Sequence, residues 1–286
     1  MNQAWFVFSG ADERLKAEAG EFHRMARQFE STSSVFADQI ASDLHRTFPC
    51  HRLIDTDAGI QALKTVLGAY SIYNPRIGYC QSMNYLCAFI LLVMDFDLER
   101  SFFVLAQLIE VYLPRYFSPD LAGMHVRSLA RRSLANLVID SAATQTDQQT
   151  LQELVREKMP EMWRHFDEHS IDVSTTITPW FMLVFVTILP AQVPRAWSRS
   201  CRHPSIAITD TNQTTLRVWD MLFYECRYQP LVVLYSTALA ILQYLSPKLL
   251  RNHFTGTIMT CLQQDPKLIL DTAALVEARS MTPRSS

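Results

Sequence analysis

Apolar residues recur at helical spacing through most of the chain. Leu98, Phe102, Leu105, Ile109 and Tyr112 fall three or four apart, with Asp97 placed as an N-cap and Pro114 as a stop. Ile60, Leu63, Val66, Leu67 and Tyr70 repeat the pattern behind Asp57. Leu151, Leu154, Val155, Met159, Met162, Trp163 and Phe166 form a third stripe. Pro160 must break or kink it, because proline has no N–H and its ring clashes with the preceding turn. From Leu231 to Leu245 the chain is apolar nearly all round, as a central helix would be. No convincing run of alternating positions with hairpin dipeptides intervenes, so the expected fold is all-α, built from many helices of moderate length.

Two polar stretches fit this pattern poorly. Residues 127–150 include a run of Ser, Ala, Thr, Gln and Asp from Ser141 to Thr150, which reads as an exposed loop or a frayed helix end. Residues 196–215, with Arg199, Arg202 and His203 and with Arg195 just before them, read as a solvated basic surface. Three windows without charge, 77–94, 173–194 and 228–247, are each about long enough to cross a bilayer. They carry Gln81, Ser82 and Asn84; Pro179 and Pro190; and Gln229, Pro230 and Gln243. Their flanks lack a Lys/Arg asymmetry, so buried core helices are expected and no transmembrane segment.

A chain of 286 residues, 49% of them hydrophobic, is long enough for one large domain or two lobes with a sizeable core. The 26 Lys and Arg against 28 Asp and Glu give a net charge of −2, which offers no sequence-wide field for nucleic acid. Only seven glycines occur, and none of them can form a phosphate-cradling G-x-G-x-x-G or G-x-x-x-x-G-K-[ST] loop. The six cysteines form no C-x-x-C pair, and the first ten residues lack the basic start and apolar run of a secretory leader. Reduced thiols in a cytoplasmic chain are the expectation.

Candidate chemistry concentrates in two segments. In the first, from Gln39 to Pro49, Ile40, Asp43 and Arg46 lie three apart on one helical stripe, so that Asp43 can hold the guanidinium of Arg46. Pro49 disfavours helix at Phe48 and would leave Arg46 near a helix C-terminus. The plain alternative is a surface ion pair worth about 0.3 kcal/mol. In the second, from Asn74 to Leu86, a turn closes at Asn74-Pro75 and an apolar helix is expected to start near Gly78 or Tyr79. Tyr79, Gln81 and Asn84 would load its beginning with polar groups that need partners or a purpose.

Together, I-x-x-D-x-x-R-T-F-P (residues 40–49) and G-Y-C-Q-S-M-N (78–84) resemble the TBC domain of Rab GTPase-activating proteins. Trp5 with Ser9-Gly10-Ala11, the segment from Phe117 to Leu121, Thr178-Pro179-Trp180-Phe181 through Leu189-Pro190, and Leu216 to Glu225 resemble further blocks of that family, in its order. The resemblance implies one Rab-GAP TBC domain over residues 1–286, all-α in two helical lobes, with insertions near 127–150 and 196–215. It implies a Rab-family GTPase in the GTP state as partner, with GTP and magnesium carried by that partner. No cofactor, metal or nucleic acid of the chain's own is expected.

Arg46 takes the family's arginine-finger position and Gln81 its glutamine-finger position, with Asp43, Tyr79 and Asn84 in support. Such a finger is worth about 10³–10⁵ in rate, or about 4–7 kcal/mol at 1.36 kcal/mol per decade. Vesicle trafficking and intracellular protein transport, in the cytoplasm and peripherally on endomembranes through the partner, follow as expectations. Three departures stand out: Met1 occupies the place of the Arg that usually precedes the opening Trp, which implies a truncated first helix; Cys226 occupies that of a Gly; and the two polar stretches are insertions relative to the family's spacing. A catalytically inactive TBC scaffold is therefore the alternative.

Two metal patterns compete. His165-Phe166-Asp167-Glu168-His169 satisfies H-x-x-E-H, but a third carboxylate ligand would be needed, and a solvated helix end is the expectation. Residues 55–59 hint at a calcium loop, but Gly59 is one position early and Val66 stands where the closing Glu belongs. An acidic helix entry is the simpler reading.

Overall fold

In the computed structural model, residues 2–32, 34–49, 51–114, 116–117, 142–189, 214–225 and 230–269 are described. They contain helices and connecting turns and no strand. The chain divides into two compact units, Met1–Ser133 and Leu134–Ser286.

The first unit holds α1 (Asn2–Phe8), α2 (Ala11–Ala17), α3 (Glu21–Ser31), α4 (Ala37–Leu44), α5 (Asp57–Tyr73), α6 (Met83–Val93) and α7 (Leu98–Gln107). Helices α3, α4 and α6 pack against α5, and α7 packs against α2, α5 and α6. Asp97 caps α7 as the sequence predicts, accepting from the Arg100 N–H at 3.0 Å. At α5 the cap is one residue earlier than Asp57. Thr56 accepts from the Gly59 N–H, and Asp57 becomes the first helical residue, where its charge suits the dipole. Helix α7 runs into a single π-helical turn, Leu108–Tyr112, ahead of Pro114.

That π-turn places Glu110 at the centre of a polar cluster. Its carboxylate accepts from Arg14 at 2.6 Å, from Asn74 at 2.7 Å and from the Tyr70 hydroxyl at 3.2 Å. Tyr73 in turn donates to Glu18 at 2.5 Å. The cluster ties α2 and the end of α5 to the π-turn. It also fixes Asn74, from which the second candidate segment departs.

The second unit holds α8 (Ala142–Lys158), α9 (Pro160–Glu168), α10 (Val173–Met182), α11 (Thr214–Glu225), α12 (Pro230–Leu249) and α13 (Thr255–Gln264). Pro160 breaks the stripe as predicted, with Met159 between α8 and α9 and the proline at the N-terminus of the second helix. The polar run after Ser141 is not the expected loop or frayed end: it forms the first turns of α8. Asp147, Leu151 and Val155, spaced four apart, are all buried, so the stripe that organises this helix begins further back than its first leucine. Residues 127–141 and 196–213 of the two polar stretches lie outside the described residues.

Of the three charge-free windows, the first contains α6, only 11 residues long and almost wholly buried. The second contains α10, followed by turns to Leu189. The third is α12. Its segment Leu231–Leu249 is the one helix among the described residues long and apolar enough to cross a membrane, and 56% of that window is buried inside the protein. The expected solvated end of α9 is also only partly right. Glu168 is exposed, but His165 is buried.

Candidate functional site

Helix α4 stops at Leu44, two residues short of Arg46. The expected stripe survives because the chain leaves the helix through tight turns: the N–H groups of Arg46 and Thr47 bond the carbonyls of Asp43 and Leu44. Ile40 anchors the stripe, wholly buried, and Asp43 beside it is equally inaccessible. Arg46 pairs with Asp43 Oδ1, and its side chain stays 52% exposed against 2% for its partner. An ion pair with one end sealed and the other in solvent is not an ordinary surface pair. The carboxylate is a fixed internal anchor for a cation that faces outward.

A buried carboxylate needs its second oxygen satisfied. Tyr79 does this, donating to Asp43 Oδ2 at 2.6 Å. Burial above all, and then the Asp43 carboxylate, push the Tyr79 phenol far above its ordinary value, so it remains a donor at any physiological pH. A second bridge lies alongside. Thr47 donates from its hydroxyl to the Asp43 carbonyl at 2.7 Å and accepts from Asn84 Nδ2 at 2.8 Å. Asn84 Oδ1 accepts the Ser82 N–H at 3.2 Å. The Tyr85 hydroxyl completes the set, donating to the Arg46 carbonyl at 3.1 Å, while its ring meets Phe48 edge-on with centroids 5.4 Å apart.

These contacts fasten the segment carrying Gln81 to the turn carrying Arg46, on both sides of the glutamine. Gln81 itself is half-buried and makes no hydrogen bond among the described residues. Its carboxamide keeps its donors and acceptor for something else.

The backbone here is not the expected early helix. From Gly78 to Ser82 the chain is irregular, and α6 begins only at Met83. Ser82, at φ 90°, and Phe48, at φ 46°, both adopt the left-handed conformation without being glycine. Such positions cost on the order of 1–3 kcal/mol each and persist only where surroundings enforce them. One follows Gln81 by a single residue and the other follows Arg46 by two. Gly78, at φ 65°, turns the chain where a Cβ would collide with the Phe36 ring, so the entry to this segment requires glycine.

All five residues singled out in the sequence, Asp43, Arg46, Tyr79, Gln81 and Asn84, thus lie in one connected patch of the first unit. Thr47 and Tyr85 belong to it as well. Neither is singled out for a role in the sequence, although Thr47 stands in the R-T-F-P motif beside Arg46. The calcium-like residues 55–59 are instead the capped entry of α5.

A family model of the Rab-GTPase-TBC domain matches residues 2–198. Growth hormone-regulated TBC protein 1 of Xenopus tropicalis is 30% identical over 227 residues, covering 78% of this chain and 54% of that protein. TBC1 domain family member 2B of the same species is 29% identical over 268 residues, 92% of this chain and 23% of that protein. The chain therefore spans about half or less of the length of these relatives. Among solved structures, the Chlamydomonas flagellar RabGAP TBC domain superposes with a TM-score of 0.74 at 24% identity, covering 98% of this chain and 79% of that one. The Ypt/Rab-GAP domain of Gyp1p superposes at 0.68 with 16% identity, covering 96% and 84%. The likeness to the two structures is one of fold.

Proposed function

Because the chain belongs to the Rab-GTPase-TBC domain family, we propose that it accelerates GTP hydrolysis by a Rab-family GTPase, supplying Arg46 and Gln81 to the partner's active site. One observation carries the reading: Arg46 projects half-exposed from a buried carboxylate that is itself fastened, through Tyr79, to the segment bearing an unengaged Gln81. The positive charge suits the negative charge that grows on a transferred phosphoryl group. Arginine rather than lysine is suited to it because a planar fork can bridge two phosphate oxygens and does not titrate away.

A glutamine amide both donates and accepts, so it can order the attacking water without acting as a base. GTP and magnesium belong to the partner in its GTP state, and the chain needs neither. The network holding the Arg46 side chain and the segment that carries Gln81 before the partner arrives lowers the ordering cost at the moment of reaction. The same reading places the protein in the cytoplasm, peripheral on endomembranes through its partner, in vesicle trafficking.

Single-turnover GTP hydrolysis across a Rab panel tests this. The wild type should accelerate at least one member, and Arg46→Ala should lose most of the about 10³–10⁵-fold that a finger provides. Acceleration of no member would leave the non-catalytic scaffold instead.

A further inference from the structure

The geometry points to a transition-metal site in the second unit, formed by His165, His169 and His253, and we propose that it binds a zinc-class divalent ion. One ring nitrogen from each of the three can be chosen so that all lie within 4.8 Å of one another. Some point then lies within about 2.8 Å of all three, against about 2.0–2.1 Å for a zinc–nitrogen bond. Side-chain adjustments of less than about 1 Å would close the site, a shift ordinary rotamer motion supplies.

Two further observations mark these rings as ligands in waiting. His165 is only 6% exposed, yet its Nε2 has no hydrogen-bond partner among the described residues. A buried orphaned imidazole nitrogen is costly unless something fills the position. The Nδ1 of His169 lies 2.8 Å from the His165 carbonyl. A carbonyl only accepts, so in the neutral ring Nδ1 carries the proton and Nε2 holds the lone pair. This is the arrangement by which a backbone oxygen fixes the tautomer of a metal-binding histidine.

The third ring comes from 84 residues beyond the second. His253 lies in the short connection between α12 and α13, exposed, and its ring stacks on His169 at 5.9 Å and meets His165 at 5.8 Å. The Thr255 hydroxyl, donating to the His169 carbonyl at 3.4 Å, holds the connection there. Three imidazoles and no carboxylate favour zinc, nickel, cobalt or copper over the oxygen-seeking calcium and magnesium. The third candidate ligand is the imidazole of His253 rather than a carboxylate, so the site differs from the metal centre that the H-x-x-E-H pattern implies. The fourth position would hold water, and the ion would clip the end of α9 to the α12–α13 connection.

Tag-free protein, stripped with a chelator and freed of it, is titrated with Zn²⁺ by calorimetry in excess Mg²⁺, and with Co²⁺ by visible absorption. One equivalent of Zn²⁺ should bind, with a rise in Tm of several degrees. Co²⁺ should give the d–d bands of a low-coordinate nitrogen site. His253→Gln, an exposed change that leaves the metal-free fold intact, should weaken Zn²⁺ at least tenfold, since loss of even an outer hydrogen-bond partner of a ligand typically costs about 10–100-fold. His169→Gln should do the same. Absence of saturable one-to-one binding, or equal binding by wild type and His253→Gln, would overturn the proposal.

Discussion

Removing one oxygen from Tyr79 tests how far the arginine depends on its buried anchor. Tyr79→Phe keeps the ring, so no cavity opens, but Asp43 Oδ2 loses a donor held at 2.6 Å. Both residues are about 1% exposed, so water has little room to replace it. A hydrogen bond to a charged group contributes about 1.5–3 kcal/mol net, and leaving a buried acceptor unmet costs a similar amount. A loss of about 2 kcal/mol follows, near 30-fold in the folding equilibrium. At a slope of about 2–3 kcal/mol per molar urea, that moves the midpoint down by roughly 0.7–1 M.

The same substitution should loosen the carboxylate that orients Arg46. GTPase-activating kcat/KM against a responsive Rab should fall about tenfold, a modest share of the finger's total effect, while affinity for the GTP-bound partner changes little. Urea denaturation and single-turnover hydrolysis on the same preparations read both consequences. If Tyr79→Phe loses stability but hydrolyses at the wild-type rate, the buried pair is structural and does not position the arginine. If it loses neither, the Tyr79–Asp43 bond contributes nothing in solution and the account of the anchor is wrong.

Three further predictions follow from the first unit. Glu110→Ala leaves Arg14, Tyr70 and Asn74 without their shared acceptor, but Arg14 keeps Glu18 at 3.3 Å, so a loss of about 2–3 kcal/mol is expected in urea denaturation. Gly78→Ala forces a side chain into a left-handed position against the Phe36 ring, and should lower both thermal stability and GTPase-activating rate, whereas Gly20→Ala, which meets nothing within 4 Å, should lower only stability. Burial, then the bond to Glu18, push the Tyr73 phenol up to about 12. Its neutral form is favoured by folding, so its contribution is complete below the unfolded value near 10 and is lost as pH rises towards 12. The stability gap between wild type and Tyr73→Phe, measured by urea denaturation at pH 9 and pH 11.5, should shrink across that interval.

The all-α architecture was legible because the apolar stripes at Leu98–Tyr112, Ile60–Tyr70 and Leu151–Phe166 are long and regular, and periodicity is the most local of signals. The pairing of Asp43 with Arg46 was legible for the same reason, since a three-residue spacing survives whether the backbone is α-helical or a tight turn. The start of α6 was not. An apolar run after Gly78 looks helical, but the chain spends five residues in irregular backbone there. Tertiary bonds hold it instead: Tyr79 donates to Asp43, and Asn84, which accepts the Ser82 N–H, donates to Thr47. The π-turn that aims Glu110 has no local signature either, because its cluster of donors comes from α2, α5 and Asn74. His253 escaped notice because a lone histidine in a short connection carries no pattern until folding brings it to His165 and His169.

The claim that Arg46 acts on the reacting phosphate and Gln81 on the attacking water is tested most directly by complex formation with a responsive Rab bound to GDP and aluminium fluoride, which mimics the phosphoryl group in flight. Gel filtration should show a wild-type complex that forms only when fluoride is present, while Arg46→Ala and Gln81→Ala form none although both still bind the GTP-loaded partner. A fluoride-dependent complex of undiminished affinity with Arg46→Ala would contradict the account.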